Sequence, residues 1–444
     1  MKSLRGSLIY QVLRNEGPRA VRDRIRDRWQ EASRRRRLEP LGRSESRLLK
    51  DVPPAPVLNV SPFAPAPKRG GSQIQLFERL SEERFQRTVA LAYPREGNWW
   101  LEVHAGKRGG LLSLGISDRA VEPVTRAMSL VNTETVHIEN PHGLHPELTV
   151  GLSELGFNTI LSIHDFTPFC PRPQLIESST GAFCDYSRNE DRCTRCLQGT
   201  APKGWLGQTA YRRFGSAMMR EARAIVFPSA FLRRTYMDLF PDRRPDQSEA
   251  VIAPASTTSR SEQPFDSDLS RVAFVGGTYR HKGAALIPAI MASLRKALPD
   301  VSGVVYGTGD RDLLARLRSE RSLRVRGYYR QGQLPQLLRR DRIAVAILPS
   351  IWPETYALVV DECVSVGVPV VAFDLGAVGE RLRGWKLDEF IATAQTAESL
   401  AEAALTSLRN RPKMPDLTAI CLPRPVDAAR AHIELYRTSA PDKR

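Results

Sequence analysis

Hydrophobic residues in this chain come in short blocks, separated by longer stretches in which they recur at helical spacing. The blocks at 57–60, 89–93, 135–138, 159–163 and 224–227 read as buried strands, with helical patterns between several of them. After the first block, glycines 70 and 71 form a turn, and Ile74, Phe77 and Leu80 then repeat as one helix face. Strand, glycine turn and helix is the opening unit of a doubly wound sheet. A polar stretch, 257–270, interrupts the series. A second series follows, with strands expected at 272–275, 304–306, 323–325, 343–348 and 368–373 and a last helical pattern over 428–436. The alternation predicts an α/β chain of two Rossmann-like domains in tandem, each a parallel sheet with helices on both faces. The expected divisions are an arm (1–50), a first domain (51–256), a linker (257–270), a second domain (271–422) and a C-terminal helix and tail (423–444). Ligands of such sheets bind beyond the C-terminal strand ends, which makes a cleft between the domains the expected site.

Composition narrows this picture. The chain has 444 residues, enough for two domains, and its 41% hydrophobic content is ordinary for a globular protein. No run approaches the ~18–20 apolar residues of a membrane-spanning helix, and the short patch Leu8-Ile9-Tyr10 is a poor secretory signal. A cytoplasmic protein is the default expectation. Charge is uneven: residues 1–50 hold fifteen Lys/Arg against six Asp/Glu, so +9 of the net +16 lies there. Leu4, Leu8 and Val12 recur at helical spacing, as do Val21, Ile25 and Trp29, with arginines 22, 24, 26 and 28 around the second stripe. An apolar stripe with arginines suits an anionic membrane surface, so residues 1–37 are expected to hold the protein peripherally on the inner face of the membrane. Asp23, Asp27 and Glu31 dilute that charge, and a solvated or docked arm is the competing reading. Lack of aromatic residues among Arg34–Arg37 argues against nucleic acid as a partner.

The densest chemistry lies after the 343–348 block, in Ser350-Ile-Trp-Pro-Glu354-Thr-Tyr-Ala-Leu-Val-Val-Asp-Glu362-Cys. Seven residues separate the two glutamates, about 12 Å along a helix axis. A helix N-terminus between them would offer N–H groups to an anion. One carboxylate could hold a sugar, the amides a diphosphate, and the other carboxylate a ribose.

Five elements in order carry a resemblance: Phe274-Val-Gly276-Gly277-Thr-Tyr-Arg280-His-Lys282-Gly283, Tyr306-Gly-Thr-Gly309, Arg326-Gly327-Tyr, Pro349-Ser350, and the Glu354/Glu362 pair. Over about residues 270–382 the chain resembles glycosyltransferase family 4; the likeness is looser over 57–250 and does not reach the first fifty residues. It implies the GT-B architecture, two facing Rossmann-like domains with the acceptor on the first and the donor on the second. It also implies a retaining transfer of a sugar from a nucleotide-sugar, with no metal required for catalysis; a glycan or lipid-linked acceptor is the expected partner. Carried over, Glu354 would contact the donor sugar, Glu362 the ribose, and Lys282 the diphosphate leaving group. The backbone at Thr355, Tyr356, Ala357 and Leu358 would cap the phosphates, and Arg326 and Gly327 fall in the base-contacting loop. Gly276 and Gly277 stand near where the family often has a phosphate-binding arginine; Arg280 is the substitute this sequence offers. Lys68-Arg69-Gly70-Gly71-Ser72 resembles the first glycine loop, which approaches the donor. His164, at the end of the 159–163 strand, matches the family's active-site histidine; His137 is its rival.

Cys170, Cys184, Cys193 and Cys196 lie within 27 positions, with only Cys363 and Cys421 elsewhere. Disulfides are disfavoured in a reducing cytosol. The two-residue spacing of Cys193 and Cys196 is that of a metal knuckle, which two further thiols would complete as a structural zinc site. Free thiols and an iron–sulfur or redox site are the alternatives. His-Asp-Phe-Thr-Pro-Phe-Cys-Pro-Arg also resembles a cysteine-bearing insertion of some family members. Two other classes compete with an enzyme: a catalytically silent GT-B scaffold, and a nucleic-acid binder using the arm and the cysteines.

Overall fold

The computed structural model describes residues 39–40, 54–64, 71–117, 120–144, 147–199, 207–255, 266–330, 332–410, 417 and 420–439. The arm at 1–37, with its expected membrane contact, lies outside them, as do Lys68, Arg69 and Gly70. The chain forms two compact units.

The N-terminal unit is built on a nine-stranded sheet. Its elements are β1 (Glu39–Pro40), β2 (Leu58–Val60), α1 (Gly71–Glu83), β3 (Val89–Arg95), β4 (Asn98–Ala105), β5 (Arg108–Ile116), α2 (Val121–Val131), β6 (Thr135–Ile138), α3 (Glu147–Glu154), β7 (Asn158–Ser162), α4 (Glu190–Leu197), α5 (Gln208–Glu221), β8 (Ala224–Phe227), α6 (Ala230–Leu239) and β9 (Ser248–Val251). Strand order is β1-β5-β4-β3-β2-β6-β7-β8-β9. The run from β3 to β9 is parallel, as expected. By contrast, β4 is antiparallel to both β3 and β5, which makes the sheet mixed. The cause is local. Glu96 and Gly97 both have positive φ (53° and 78°), the conformation of a two-residue hairpin turn, so β3 folds back instead of leading to a helix.

A helix from the far end of the sequence completes this unit. Tyr436 and Leu435 of the helix at Pro425–Thr438 join Val57, Ile160 and Ala224 in one buried cluster. The segment expected as a separate C-terminal element is thus part of the N-terminal unit.

The C-terminal unit contains β10 (Asp268–Phe274), α7 (Ile287–Ala297), β11 (Ser302–Tyr306), α8 (Arg311–Ser319), β12 (Leu323–Gly327), α9 (Leu334–Arg340), β13 (Ile343–Leu348), α10 (Leu358–Val364), β14 (Val370–Phe373), α11 (Gly376–Gly384), β15 (Ile391–Ala392) and α12 (Ala397–Asn410). Continuing this count, the helix at Pro425–Thr438 is α13. All six strands pair in parallel, in the order β12-β11-β10-β13-β14-β15. Every residue of β13 is buried, which is why its sequence is a continuous apolar run and not an alternation. The expected linker ends early, because β10 begins at Asp268, and the strand expected from 368 starts at Val370. Strand order reverses between β10 and β13. Loops leaving the C-terminal ends of those two strands therefore flank the crevice where such sheets bind ligands. Among the described residues, no helix is long and apolar enough to cross a membrane.

Candidate active site

The two loops at that switch point carry Lys282 and Glu354. After β10 the chain passes Gly276 and Gly277, then turns through a short 3-10 helix, Arg280–Lys282. Gly283 follows at φ 69°, and a β-carbon there would fall 1.7 Å from the Pro349 carbonyl oxygen. Only glycine lets the lysine loop lie this close to the loop after β13. The Ile351 N–H donates to the His281 carbonyl oxygen at 3.2 Å, which ties the loops in register.

In that arrangement Lys282 Nζ donates to Glu354 Oε1 at 2.5 Å. The same oxygen accepts from Ser350 Oγ at 2.6 Å and from Trp352 Nε1 at 3.0 Å. Glu354 is 4% exposed, so its charge is held by three donors and not by water. Lys282 also lies 5.3 Å from the centre of the Trp352 ring. His281 packs between Tyr279 and Trp352. Its burial, then Lys282 beside it, push its pKa down to about 4, so it stays neutral. From the other side, Gly376 closes on Glu354: Ala377 N–H donates to the Glu354 carbonyl oxygen at 2.7 Å, and a β-carbon on Gly376 would lie 2.6 Å from the Glu354 backbone nitrogen and oxygen.

Glu362 sits one element further on, in α10. It is 5% exposed and its Oε1 accepts from Gly332 N–H at 2.7 Å. Burial raises its pKa to about 7; the Gly332 N–H opposes this and the Asp361 charge adds to it. Ala357 precedes the helix in the left-handed region at φ 67°. Tyr356 and Ala357 are held there by Arg381, whose Nη1 donates to both carbonyl oxygens at 3.0 and 3.4 Å. The other guanidinium nitrogen of Arg381 pairs with buried Asp361. Thr355 lies half-buried in the same turn.

The remaining residues named from the sequence are near this site but have partners of their own. The Arg280 guanidinium is exposed and pairs with Asp312 at the start of α8. Arg326 pairs with Asp341 through both Nε and Nη2, and Tyr306 OH donates to the same carboxylate at 2.6 Å. Gly327 ends β12, where its carbonyl accepts from Gly307 N–H at 2.8 Å. Gly277 lies in the turn after β10, and its carbonyl neighbour Thr278 donates through N–H to Thr308 at 3.0 Å. Ser350 enters the sequence reading only as part of the Pro349-Ser350 element, and no role is assigned there to Ser350, Trp352 or Arg381. The first two stand at alternate positions before Glu354, a pattern that could have been read; Arg381 has no local signal.

His164 belongs to the N-terminal unit, immediately beyond β7. It borders a hollow lined also by Ser72, Arg79, Glu139, Ser162 and His432. Burial lowers its pKa to about 4, with Arg79 acting in the same direction and the Glu139 backbone against it. Gly71 is the exposed first residue of α1. His137 is wholly inside, its Nδ1 2.8 Å from Tyr436 OH and its Nε2 2.8 Å from Ser162 Oγ. Arg79, 4% exposed, pairs with Glu139 and Glu83 and donates to Tyr436 OH at 2.7 Å. His137 is thus a satisfied core group, whereas His164 bonds the Glu139 backbone and borders the hollow.

All four clustered cysteines line a second hollow, and all are free thiols. Among the described residues, no three His, Cys, Asp or Glu side chains meet at one metal-binding point.

Similarity to known proteins follows the same geography. Residues 255–419 match the family model "Glycosyl transferases group 1". A lipopolysaccharide core biosynthesis mannosyltransferase from Rhizobium meliloti (strain 1021) is 30% identical over 200 residues, 40% of this chain and 56% of the relative. The chain thus spans about half the length of the curated relative it matches. Among solved structures, sucrose-phosphate synthase from Thermosynechococcus elongatus superposes with a TM-score of 0.58 at 16% identity, covering 86% of this chain and 98% of that one. Anabaena HepE in complex with UDP and glucose gives 0.56 at 14% identity, covering 86% and 100%. The fold is GT-B, and residues 255–419 carry a glycosyl transferases group 1 domain.

Proposed function

We propose that this protein is a retaining glycosyltransferase of family 4 that moves a sugar from a nucleotide-sugar to a lipid-linked or polysaccharide acceptor. The observation that carries the reading is the Lys282–Glu354 pair at the switch point, with Glu354 fixed by Ser350 and Trp352. Breaking the bond between the anomeric carbon and the diphosphate oxygen leaves the electron pair on that oxygen. Lys282 would move from Glu354 onto the developing charge, where a preorganised cation lowers the barrier. Glu354 would then hold hydroxyls of the transferring sugar. Glu362 would accept from the ribose, and backbone groups at Thr355–Leu358 would meet the phosphates. His164 would bond the sugar through a neutral imidazole. The acceptor oxygen attacks the same face and loses its proton to the departing phosphate oxygen, so configuration is kept. No metal takes part in this step; a zinc ion at the cysteines would be structural. With Arg280 and Arg326 engaged by Asp312 and Asp341, Lys282 is the principal cation for the leaving group.

The mannosyltransferase relative acts in lipopolysaccharide core biosynthesis, which supports a glycan or lipid-linked acceptor. The arm at 1–37 would supply contact with the membrane that carries it. A silent scaffold is the weaker reading, because it gives no reason to bury a glutamate under a lysine at a ligand crevice.

The test is a thermal-shift panel of UDP-, GDP-, ADP- and TDP-sugars on wild type and Glu362→Ala. A donor at ~100 times its Kd stabilises by about 2.7 kcal/mol. A shift with one nucleotide that is lost in Glu362→Ala supports the reading. No shift with any donor, on folded protein, sinks it.

A further inference from the structure

The segment that follows β7 is unusual for its length without regular structure. Between the end of β7 and the start of α4 lie 27 residues with neither helix nor strand, well beyond the length at which a loop usually needs a function or a staple. Its apolar anchors are few but fully inside: Phe166, Phe169 and Leu175 are 0–2% exposed, and Leu197 at the end of α4 is 1% exposed. A segment with so small a core of its own is the kind that natural proteins hold with disulfides or a metal.

No disulfide is present, and the four thiols point at one space. Cys170, Cys184, Cys193 and Cys196 all line the same hollow, whose other walls include Phe169 and Leu197. Cys193 and Cys196 are a helical pair, one turn apart on α4, and so share a face. Asn189 caps that helix by accepting from the Arg192 N–H, which fixes the turn that carries both sulfurs. Cys184 is fixed by its own N–H, which donates to the Leu175 carbonyl at 2.9 Å, and Cys170 by donating to Phe166 at 2.9 Å.

Two of the four sulfurs accept hydrogen bonds, while burial holds Cys170, Cys184 and Cys193 as neutral thiols until a metal displaces their protons. Ser178 N–H donates to Cys196 Sγ at 3.4 Å, and Arg212 Nη2 donates to Cys193 Sγ at 3.6 Å. Donors to sulfur are the outer-shell contacts that hold metal-bound thiolates. Arg172 and Arg192 join Arg212 around the hollow, the last lying 4.0 Å over the Phe169 ring. A dipositive ion with four thiolates carries a net −2, and these guanidiniums offset it; Glu177 neutralises part of Arg192. Among the described residues no three of these side chains meet at one metal-binding point, so a bound ion would require the sulfurs to converge.

We infer that the four cysteines form a tetrahedral thiolate site for zinc that staples the segment following β7. Four sulfurs with no open position make a closed, structural site. Binding replaces four S–H bonds by four Zn–S bonds and releases four protons. Because Cys170 lies six residues beyond His164, the staple holds the stretch that leaves the candidate active-site histidine. The inference stands on the thiols alone and does not depend on the transfer chemistry.

The experiment is metal analysis of the full chain expressed with zinc and purified without chelator, alongside Cys193→Ser, Cys170→Ser and Cys421→Ser. About one zinc per chain is expected. It should be lost in the first two variants and kept in the third, since Cys421 lies outside the hollow. Should the first two fail to fold, wild type decides: cobalt exchanged for zinc should give the ligand-field bands of a tetrahedral tetrathiolate site, and chelation should open 170–196 to protease. Zinc-free folded protein, iron with acid-labile sulfide, or disulfides by intact mass would each overturn the inference.

Discussion

Glu354 Oε1 accepts from a lysine, a serine and an indole at once, and each donor has a different task. Ser350 and Trp352 hold the carboxylate whether or not a ligand is present, whereas Lys282 can leave it for a phosphate. Lys282→Ala should therefore lower kcat/KM by about 10²–10³, the range for losing one preorganised transition-state donor, while near-UV circular dichroism stays native because two donors to Glu354 remain. An equal loss in folded structure and in activity would mean that the lysine is structural. Glu362 makes a separate prediction. Its folded pKa of about 7 lies above the ordinary 4.5. A raised carboxyl contributes stability below pH 4.5 that is lost as pH rises through 7. At pH 8 the buried charge costs on the order of 3 kcal/mol, so Glu362→Gln should melt higher than wild type at pH 8 and nearly with it at pH 4.5. Urea midpoints at the two pH values read this directly. The same substitution should weaken nucleotide binding, which separates a functional carboxylate from an accident of packing.

The element that sets these residues is the strand–loop–helix unit from β13 to α10, braced by Gly283 on one side and Gly376 on the other. Gly376→Ala puts a β-carbon 2.6 Å from the Glu354 backbone and forces φ 68° on an L side chain. It should destabilise the protein by about 1–3 kcal/mol and displace Glu354, lowering activity more than it lowers stability. Chemical-denaturation midpoints beside donor turnover measure both effects. Most of this unit could be read from sequence because it is local. A continuous apolar run gives the buried strand, and the spacing of Glu354 and Glu362 places them on a loop and the following helix. Trp352 and Ser350 lie in the same run, so only their donor role was unread. The N-terminal unit was less legible for two physical reasons. The Glu96-Gly97 turn converts an expected β/α step into a hairpin, and such a turn has only a weak signature without Asn or Asp before the glycine. Arg79 and Tyr436 meet across 357 positions, a contact for which neither end carries a periodic signal. Such tertiary pairs also decide that His137 is packed and His164 borders space, a distinction that a histidine at a strand end does not carry by itself.

At the scale of the whole molecule, the two units differ in how they buried their titratable groups, and this should make their stabilities diverge with pH. The N-terminal unit holds His137, His164 and His432, all pushed below 6.5 first by burial, and Glu139, raised to about 7 for the same reason. A histidine with a depressed pKa contributes stability above 6.5 that is lost as pH falls; the glutamate acts oppositely. Below pH 6.5 the three histidines lose stability, and Glu139, with Asp165 and Glu78 raised in the same direction, offsets part of that loss. In the C-terminal unit His281, held at about 4, and Glu362, at about 7, nearly cancel. Asp361 of this unit is also raised, first by burial. Acidifying from pH 6.5 to 5.5 should therefore weaken the N-terminal unit more than the C-terminal unit. Calorimetry at the two pH values, with peptide-resolved hydrogen exchange to assign each transition, tests this. The transition containing β6 and β7 should move further down than that containing β10 and β13. Replacing His137 by Phe should not be the remedy, since Tyr436 OH and Ser162 Oγ would each lose a partner inside the core. His137→Asn, which keeps polar atoms for both hydroxyls and cannot titrate, should flatten the acid slope of the first transition by about one proton. Equal movement of both transitions in wild type would show that the buried histidines do not govern acid stability.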